Sequence, residues 1–256
     1  MANDHKSEPA LETRSLYRNF GSLRVSSNVN FQLPIGARHA LIGPNGAGKT
    51  TFINLLTGSL APSSGKVFFG GEDVTSLSVH RRVRKGISRT FQINSLFREM
   101  SVLENVQLSV LERRSLGRKL FGGQKAQREA AEEAYDLLER LGMTNDAKSP
   151  VMYLPYGRQR LVEIAIALAR EPKILLLDEP AAGVPPADSH RVFDLIEGLP
   201  SSISVLFIEH DMKLVARFAR RISVLVSGEI VREGSPEEIA KDPYVREVYL
   251  GHGRHG

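Results

Sequence analysis

Nine consecutive residues, Gly43-Pro44-Asn45-Gly46-Ala47-Gly48-Lys49-Thr50-Thr51, carry the densest chemistry in the chain. Glycines here let successive backbone N–H groups turn inward around a phosphate. Lys49 supplies a cation for the outer phosphates, and the Thr50 hydroxyl is a hard oxygen ligand suited to magnesium. The pattern is GxxxxGK[ST]. It stands between an apolar run, 37–42, and a segment of helical spacing that contains Phe52, Ile53, Leu55 and Leu56.

Three further stretches end in residues that could act on a bound phosphate. Ile174-Leu175-Leu176-Leu177-Asp178-Glu179 is an apolar run ending in two acids, which puts carboxylates at the carboxyl edge of a parallel sheet, where ligands bind. Asp178 would hold magnesium, and Glu179 would orient or deprotonate an attacking water. Val205-Leu206-Phe207-Ile208-Glu209-His210-Asp211 brings a histidine to the same edge. Thr90-Phe91-Gln92 closes the first α/β segment, and Gln92 could touch magnesium or the water. Taken singly, two acids cap a turn, a histidine after a strand is structural, and a loop glutamine is solvated. The phosphate loop changes that balance, above all for the acids.

Elements that would position these residues are legible in outline. Strands are expected at 29–33, 37–42, 66–69, 174–177 and 205–208, with a hairpin over 222–232 turning at Ser227-Gly228. One helix follows the phosphate loop and stops near Gly58. Residues 127–141 form an amphipathic helix with Ala134, Leu137, Leu138 and Leu141 on one face, closed by Gly142. Another runs through Leu161, Ile164, Ala165 and Leu168, again with one apolar face. Ser235-Pro236-Glu237-Glu238 is a capping box with proline in the first turn, and Asp242-Pro243 begins a short last helix. Residues 94–155 therefore read as a helical insertion in an α/β chain.

The bulk numbers exclude several classes. The chain has 256 residues and no cysteine, so neither disulfides nor thiolate metal sites hold it together. The N-terminal segment is polar and lacks a secretory pattern, and no apolar run approaches the roughly 18 residues of a membrane span. Net charge is +5. The main basic run, His80-Arg81-Arg82-Val83-Arg84-Lys85, has no interleaved aromatics and reads as a solvated helix face, so no nucleic-acid partner is expected.

In this order, the four elements resemble the ATP-binding cassette family, over about residues 11–251. The resemblance implies an α/β P-loop NTPase (RecA-like) core with an antiparallel β subdomain and an inserted helical subdomain. Residues 11–93 and 156–256 would form the first two and 94–155 the last. It implies ATP and Mg2+, held by Gly43, Pro44, Asn45, Gly46, Ala47, Gly48, Lys49, Thr50 and Thr51, with Thr50, Gln92 and Asp178 on the metal. Glu179 matches the catalytic glutamate, His210 the switch histidine and Gln92 the Q-loop glutamine. Phe20, in Arg18-Asn19-Phe20-Gly21-Ser22, matches the aromatic that stacks on adenine, with Tyr17 as rival.

The motifs GPNGAGKTT, RTFQ, LFREMSVLENV, DEPAAG, IEHDMKLV and VYLG look closer to one branch, the ATPase subunits of branched-chain amino acid importers. That branch implies a second ATPase subunit in a hetero- or homodimer, two transmembrane permease subunits and, indirectly, a periplasmic solute-binding protein. The location implied is peripheral, on the cytoplasmic face of the inner membrane. Leu154-Pro155-Tyr156-Gly157-Arg158-Gln159 falls where the family has its signature LSGGQ. The Gly157 N–H and the helix dipole remain for a partner's nucleotide, whereas Pro155 offers neither hydroxyl nor N–H and fits a first helical turn. Pro185 likewise replaces the polar D-loop residue. These departures predict an asymmetric pair. They leave open a weakly hydrolysing regulatory half, or a soluble cassette ATPase outside transport; urea or amides remain alternative solutes.

Overall fold

The computed structural model describes residues 8–90, 96–114, 123–184 and 186–250. Two sheets organise them. The first is antiparallel, in the order β2-β1-β4-β5, from β1 (Leu11–Phe20), β2 (Leu23–Leu33), β4 (Ser64–Phe69) and β5 (Glu72–Asp73). Sequence spacing finds only parts of β2 and β4 and misses β1. The reason is a bulge: Leu11 and Thr13 point inward, Ser15 takes φ 44°, and the next inward residue is Leu16, so alternation is broken.

The second sheet has the order β10-β9-β3-β8-β7-β6. Its strands are β3 (Arg38–Ile42), β6 (Ile87–Arg89), β7 (Ile174–Asp178), β8 (Ser204–Ile208), β9 (Arg221–Val226) and β10 (Glu229–Gly234). All neighbours are parallel except β9 and β10. Ile208 is opposite both Leu41 and Asp178. That register gathers the carboxyl ends of β3, β7 and β8 at one edge.

Each face of the parallel sheet feeds a separate apolar layer. Leu41, Leu176, Leu206 and Ile208 pack with Phe52, Ile53, Leu55 and Leu56 of α1 (Lys49–Thr57) and with the antiparallel sheet. Ala40, Ile42, Leu175, Leu177, Val205 and Phe207 pack on the other side against α5 (Tyr156–Leu168). The same layer takes in α6 (Pro186–Glu197) and α7 (Met212–Phe218). It also continues into Val102, Val106 and Val110 of α3 (Val102–Arg113) and Ala130, Ala134 and Leu138 of α4 (Gln124–Arg140). Helix α8 (Pro236–Lys241) has the expected capping box, and α9 (Pro243–Leu250) follows.

Two expectations need correction. Helix α5 has no single apolar face: Gln159, Arg160 and Glu163 are buried alongside Leu161, Ile164, Ala165 and Leu168. It is enclosed between the sheet and α3, so its polar residues pair internally, Arg160 Nη1 donating to Glu163 Oε2 at 2.7 Å. The basic run is not simply a solvated face either. In α2 (Val79–Arg84), Arg82 is 1% exposed. Its guanidinium donates to the carbonyls of Leu55, Leu56, Thr75 and Leu77, which closes the C-terminal end of α1. A lone arginine in a basic run carries no sign of such a role.

Candidate functional site

The phosphate loop is built by a strand that ends and a helix that begins on either side of it. Gly48 is the N-cap of α1 with φ 100°, a conformation that strains any side chain. A Cβ on Gly48 would lie 2.8 Å from the Val25 carbonyl oxygen, and one on Gly43 would lie 2.1 Å from that of Leu225. Neighbouring backbone therefore forces the small residues that leave room for a phosphate. Lys49 is buried, and its ammonium donates to the Gly43 and Pro44 carbonyls at 2.7 and 3.0 Å. Burial lowers its pKa, and the charges of Glu179 and Asp178 oppose that shift. Asn45 and Thr50 are exposed, while Ala47 is buried.

Across the edge, Glu179 follows β7 with φ 50°, a left-handed backbone unusual for a non-glycine residue and typical of functional sites. Its N–H donates to the Ile208 carbonyl at 3.0 Å, tying the end of β7 to β8. Its Oε1 lies 2.8 Å from His210 Nε2, with both side chains solvent-accessible. The structure thus joins two residues that the sequence placed only on one edge. Phe20 is 48% exposed at the end of β1, and the Arg18 guanidinium sits 4.5 Å from its ring centroid. Tyr17 lies inside the strand, with its carbonyl accepting from Ser63 N–H at 2.8 Å. Gln92 lies outside the described residues, as do Phe91 and Pro185.

Asp178 has a partner that sequence reasoning missed. Arg89, at the end of β6, donates from Nη2 to Asp178 Oδ2 at 2.7 Å and from Nη1 to Asn54 Oδ1 at 2.6 Å. Strand β6 lies beside β7 only in the folded sheet, so the chain's linear order hides the pair. The hard oxygens of Thr50 and Asp178 suit magnesium, and the guanidinium acts as a stand-in cation on one of them. The donor set fits the ion.

Pro155 is the N-cap of α5 rather than part of its first turn, with φ −55° and ψ 151°. Its carbonyl accepts the N–H groups of Arg158 and Gln159 at 2.9 and 3.1 Å. Gly157 is buried, whereas Pro155 and Tyr156 are exposed. Arg158 turns away from the helix end to pair with Asp146. A groove of about 520 Å³ opens near Leu96 and Phe97, between α2, α3 and α5. Another missed residue, Glu209, is 5% exposed and accepts hydrogen bonds from the N–H groups of Ala181 and His210.

Known proteins share much of this sequence and this fold. The family model described as ABC transporter matches residues 26–182. The one described as branched-chain amino acid ATP-binding cassette transporter matches residues 233–255. The high-affinity branched-chain amino acid transport ATP-binding protein LivG of Escherichia coli K12 is 41% identical, over 96% of this chain and 99% of that protein. The corresponding protein BraF of Pseudomonas aeruginosa is 40% identical over the same shares. Among solved structures, an ATP-binding cassette of an ABC transporter in its ADP conformation superposes with a TM-score of 0.83. It is 32% identical and is matched over 94% of this chain and 98% of that one.

Proposed function

Since this chain belongs to the ATP-binding cassette family of ABC transporters, we propose that it hydrolyses ATP to power a branched-chain amino acid importer. The observation that carries the reading is the shared sheet edge, where the phosphate loop, Asp178, Glu179 and His210 meet. The solute is supported by near full-length similarity to LivG and BraF and by the branch-specific match at 233–255.

In the reaction, backbone N–H groups of residues 43–51 and Lys49 take the phosphates, and Phe20 stacks on adenine. Thr50, Asp178 and Gln92 would hold magnesium, which would neutralise charge on the phosphates. Glu179 accepts a proton from the water that attacks the terminal phosphorus, leaving ADP and inorganic phosphate. His210 orients Glu179 through their hydrogen bond and lies at the edge where the phosphate is released. Lys49 exchanges two carbonyl partners for phosphate oxygens, a change that leaves its charge satisfied throughout.

A second cassette completes the site head to tail, its signature facing the phosphates held here. This chain's own α5 offers Gly157 and the helix dipole to the partner's nucleotide, without the hydroxyl that Pro155 lacks. Each missing charge-assisted hydrogen bond is worth about 1.5–3 kcal/mol. Paired with a cassette whose signature keeps the hydroxyl, this chain would form a heterodimer of unequal sites; a homodimer would carry two equal ones. Residues 94–155 act as the helical subdomain, and the groove beside Phe97 receives a segment of a membrane subunit. Among the described residues no helix is long and apolar enough to cross a membrane. Similarity to LivG and BraF supports peripheral association through two permease subunits on their cytoplasmic face. A periplasmic binding protein delivers the solute on the other side.

Reconstitution tests the reading. Vesicles containing the permease subunits, both cassettes and the binding protein should accumulate leucine only with ATP, and should lose uptake with Glu179→Gln. Leucine uptake unaffected by that substitution would count against it.

A further inference from the structure

We infer that Glu209 is a positioning residue, which holds the loops carrying Glu179 and His210 together by accepting one backbone hydrogen bond from each. Glu209 Oε1 accepts from Ala181 N–H at 2.9 Å, two residues beyond Glu179. Its Oε2 accepts from His210 N–H at 3.2 Å. The contact of His210 Nε2 with Glu179 Oε1, at 2.8 Å, closes a ring from β7 to β8 and back.

The ring matters because Glu179 combines an exposed side chain with a strained backbone. Its side chain is accessible, and its backbone is in the left-handed region. Such a conformation persists only when its surroundings hold it. The Ile208 carbonyl fixes the Glu179 N–H, and the Glu179 carbonyl accepts from Ala182 N–H at 3.0 Å. Between these bonds, Glu209 fixes Ala181. On the other arm it fixes the N–H of His210, which bears the imidazole facing Glu179.

A buried carboxylate is a costly choice for this task, and an apolar residue would fill the strand end without that penalty. Burial raises the Glu209 pKa and the Glu179 charge adds to the rise, while the Ala181 and His210 N–H groups and the His210 charge oppose it. Two acceptor oxygens are what the geometry uses, one for each loop. Glutamine keeps the shape but has one acceptor, and turns an N–H2 toward the other N–H. Both Glu209 oxygens are engaged by backbone, so it acts through Glu179 and His210 rather than on the nucleotide.

This inference rests on the hydrolytic reading above, and the test separates the two. Single-turnover ATP hydrolysis and equilibrium ATP binding are measured in the assembled transporter for wild type, Glu179→Gln, Glu209→Gln and Glu209→Asp. The Glu209 variants are repeated in a His210→Ala background. With Glu209→Gln, turnover should fall by about 10- to 100-fold, the scale of a misplaced catalytic group, while ATP affinity stays within about twofold. In the His210→Ala background the further loss should be smaller but still present, because the arm through the imidazole is already gone while the arm through Ala181 remains. Glu209→Asp, too short to hold both loops, should follow the same pattern. Wild-type turnover in both Glu209 variants, equal losses in both backgrounds, or affinity falling in step with turnover would overturn the inference. So would a failure of both variants to fold, which would make Glu209 structural. Turnover unaffected by Glu179→Gln would instead overturn the hydrolytic reading.

Discussion

At the phosphate loop, Lys49 already points its ammonium into the turn, bonded to the Gly43 and Pro44 carbonyls. Replacing it with alanine removes a charge-assisted contact worth about 1.5–3 kcal/mol, so Lys49→Ala should weaken ATP binding by about 10- to 150-fold in a calorimetric titration. Chelation of magnesium should abolish hydrolysis yet leave the circular dichroism spectrum unchanged, because no packing in the described core depends on the ion. Residue types and spacing made Lys49, Thr50, Asp178 and Glu179 legible. They could not reveal Arg89 on Asp178 or Glu209 on the Ala181 N–H, since each pairing depends on strands far apart in the chain. The positive φ of Glu179 is likewise imposed by the bond to Ile208 and has no signature in the string of residues.

Helix ends account for the clearest energetic predictions among the elements. Arg82 closes α1 with bonds to the Leu55 and Leu56 carbonyls and ties it to those of Thr75 and Leu77, so Arg82→Ala leaves buried acceptors unmet and should lower unfolding stability by at least about 3 kcal/mol in urea. Helix α5 begins at Tyr156 with Pro155 as its cap. Pro155→Ser restores the hydroxyl of the family signature, and should raise single-turnover hydrolysis at the partner's site while leaving this chain's own site unchanged. An equal rise at both sites would contradict the assignment of α5 to the partner's nucleotide. Glycine and proline punctuation made α1, α4 and α8 readable, and Ser101-Val102-Leu103-Glu104, a capping box at the start of α3, is a legible signal that the apolar spacing alone overlooks. Enclosure of α5 on several sides was not legible, because it depends on the packing of α3.

Across the whole molecule, the parallel sheet sets both function and stability. The alternating apolar runs and the phosphate loop made its class readable, whereas the order β10-β9-β3-β8-β7-β6 comes only from tertiary pairing. His39, in the central strand, is fully buried against Phe31, with Nε2 2.8 Å from the Ser223 hydroxyl. Burial lowers its pKa to about 4, with Glu233 opposing the shift and Arg221 adding to it. The unfolded chain, with an ordinary histidine pKa near 6.5, then binds more protons between these values. Stability from this group is full above about pH 6.5 and declines as pH falls toward 4, by about 2 kcal/mol between pH 7 and pH 5. Urea midpoints should show this slope in the wild type and a flatter one in His39→Gln. The central claim, hydrolysis of ATP at the edge shared by β3, β7 and β8, is tested most directly by comparing nucleotide binding with turnover in Glu179→Gln within the assembled transporter. Magnesium-dependent ATP binding should persist while turnover falls by about 100-fold or more; turnover at the wild-type rate would contradict the account.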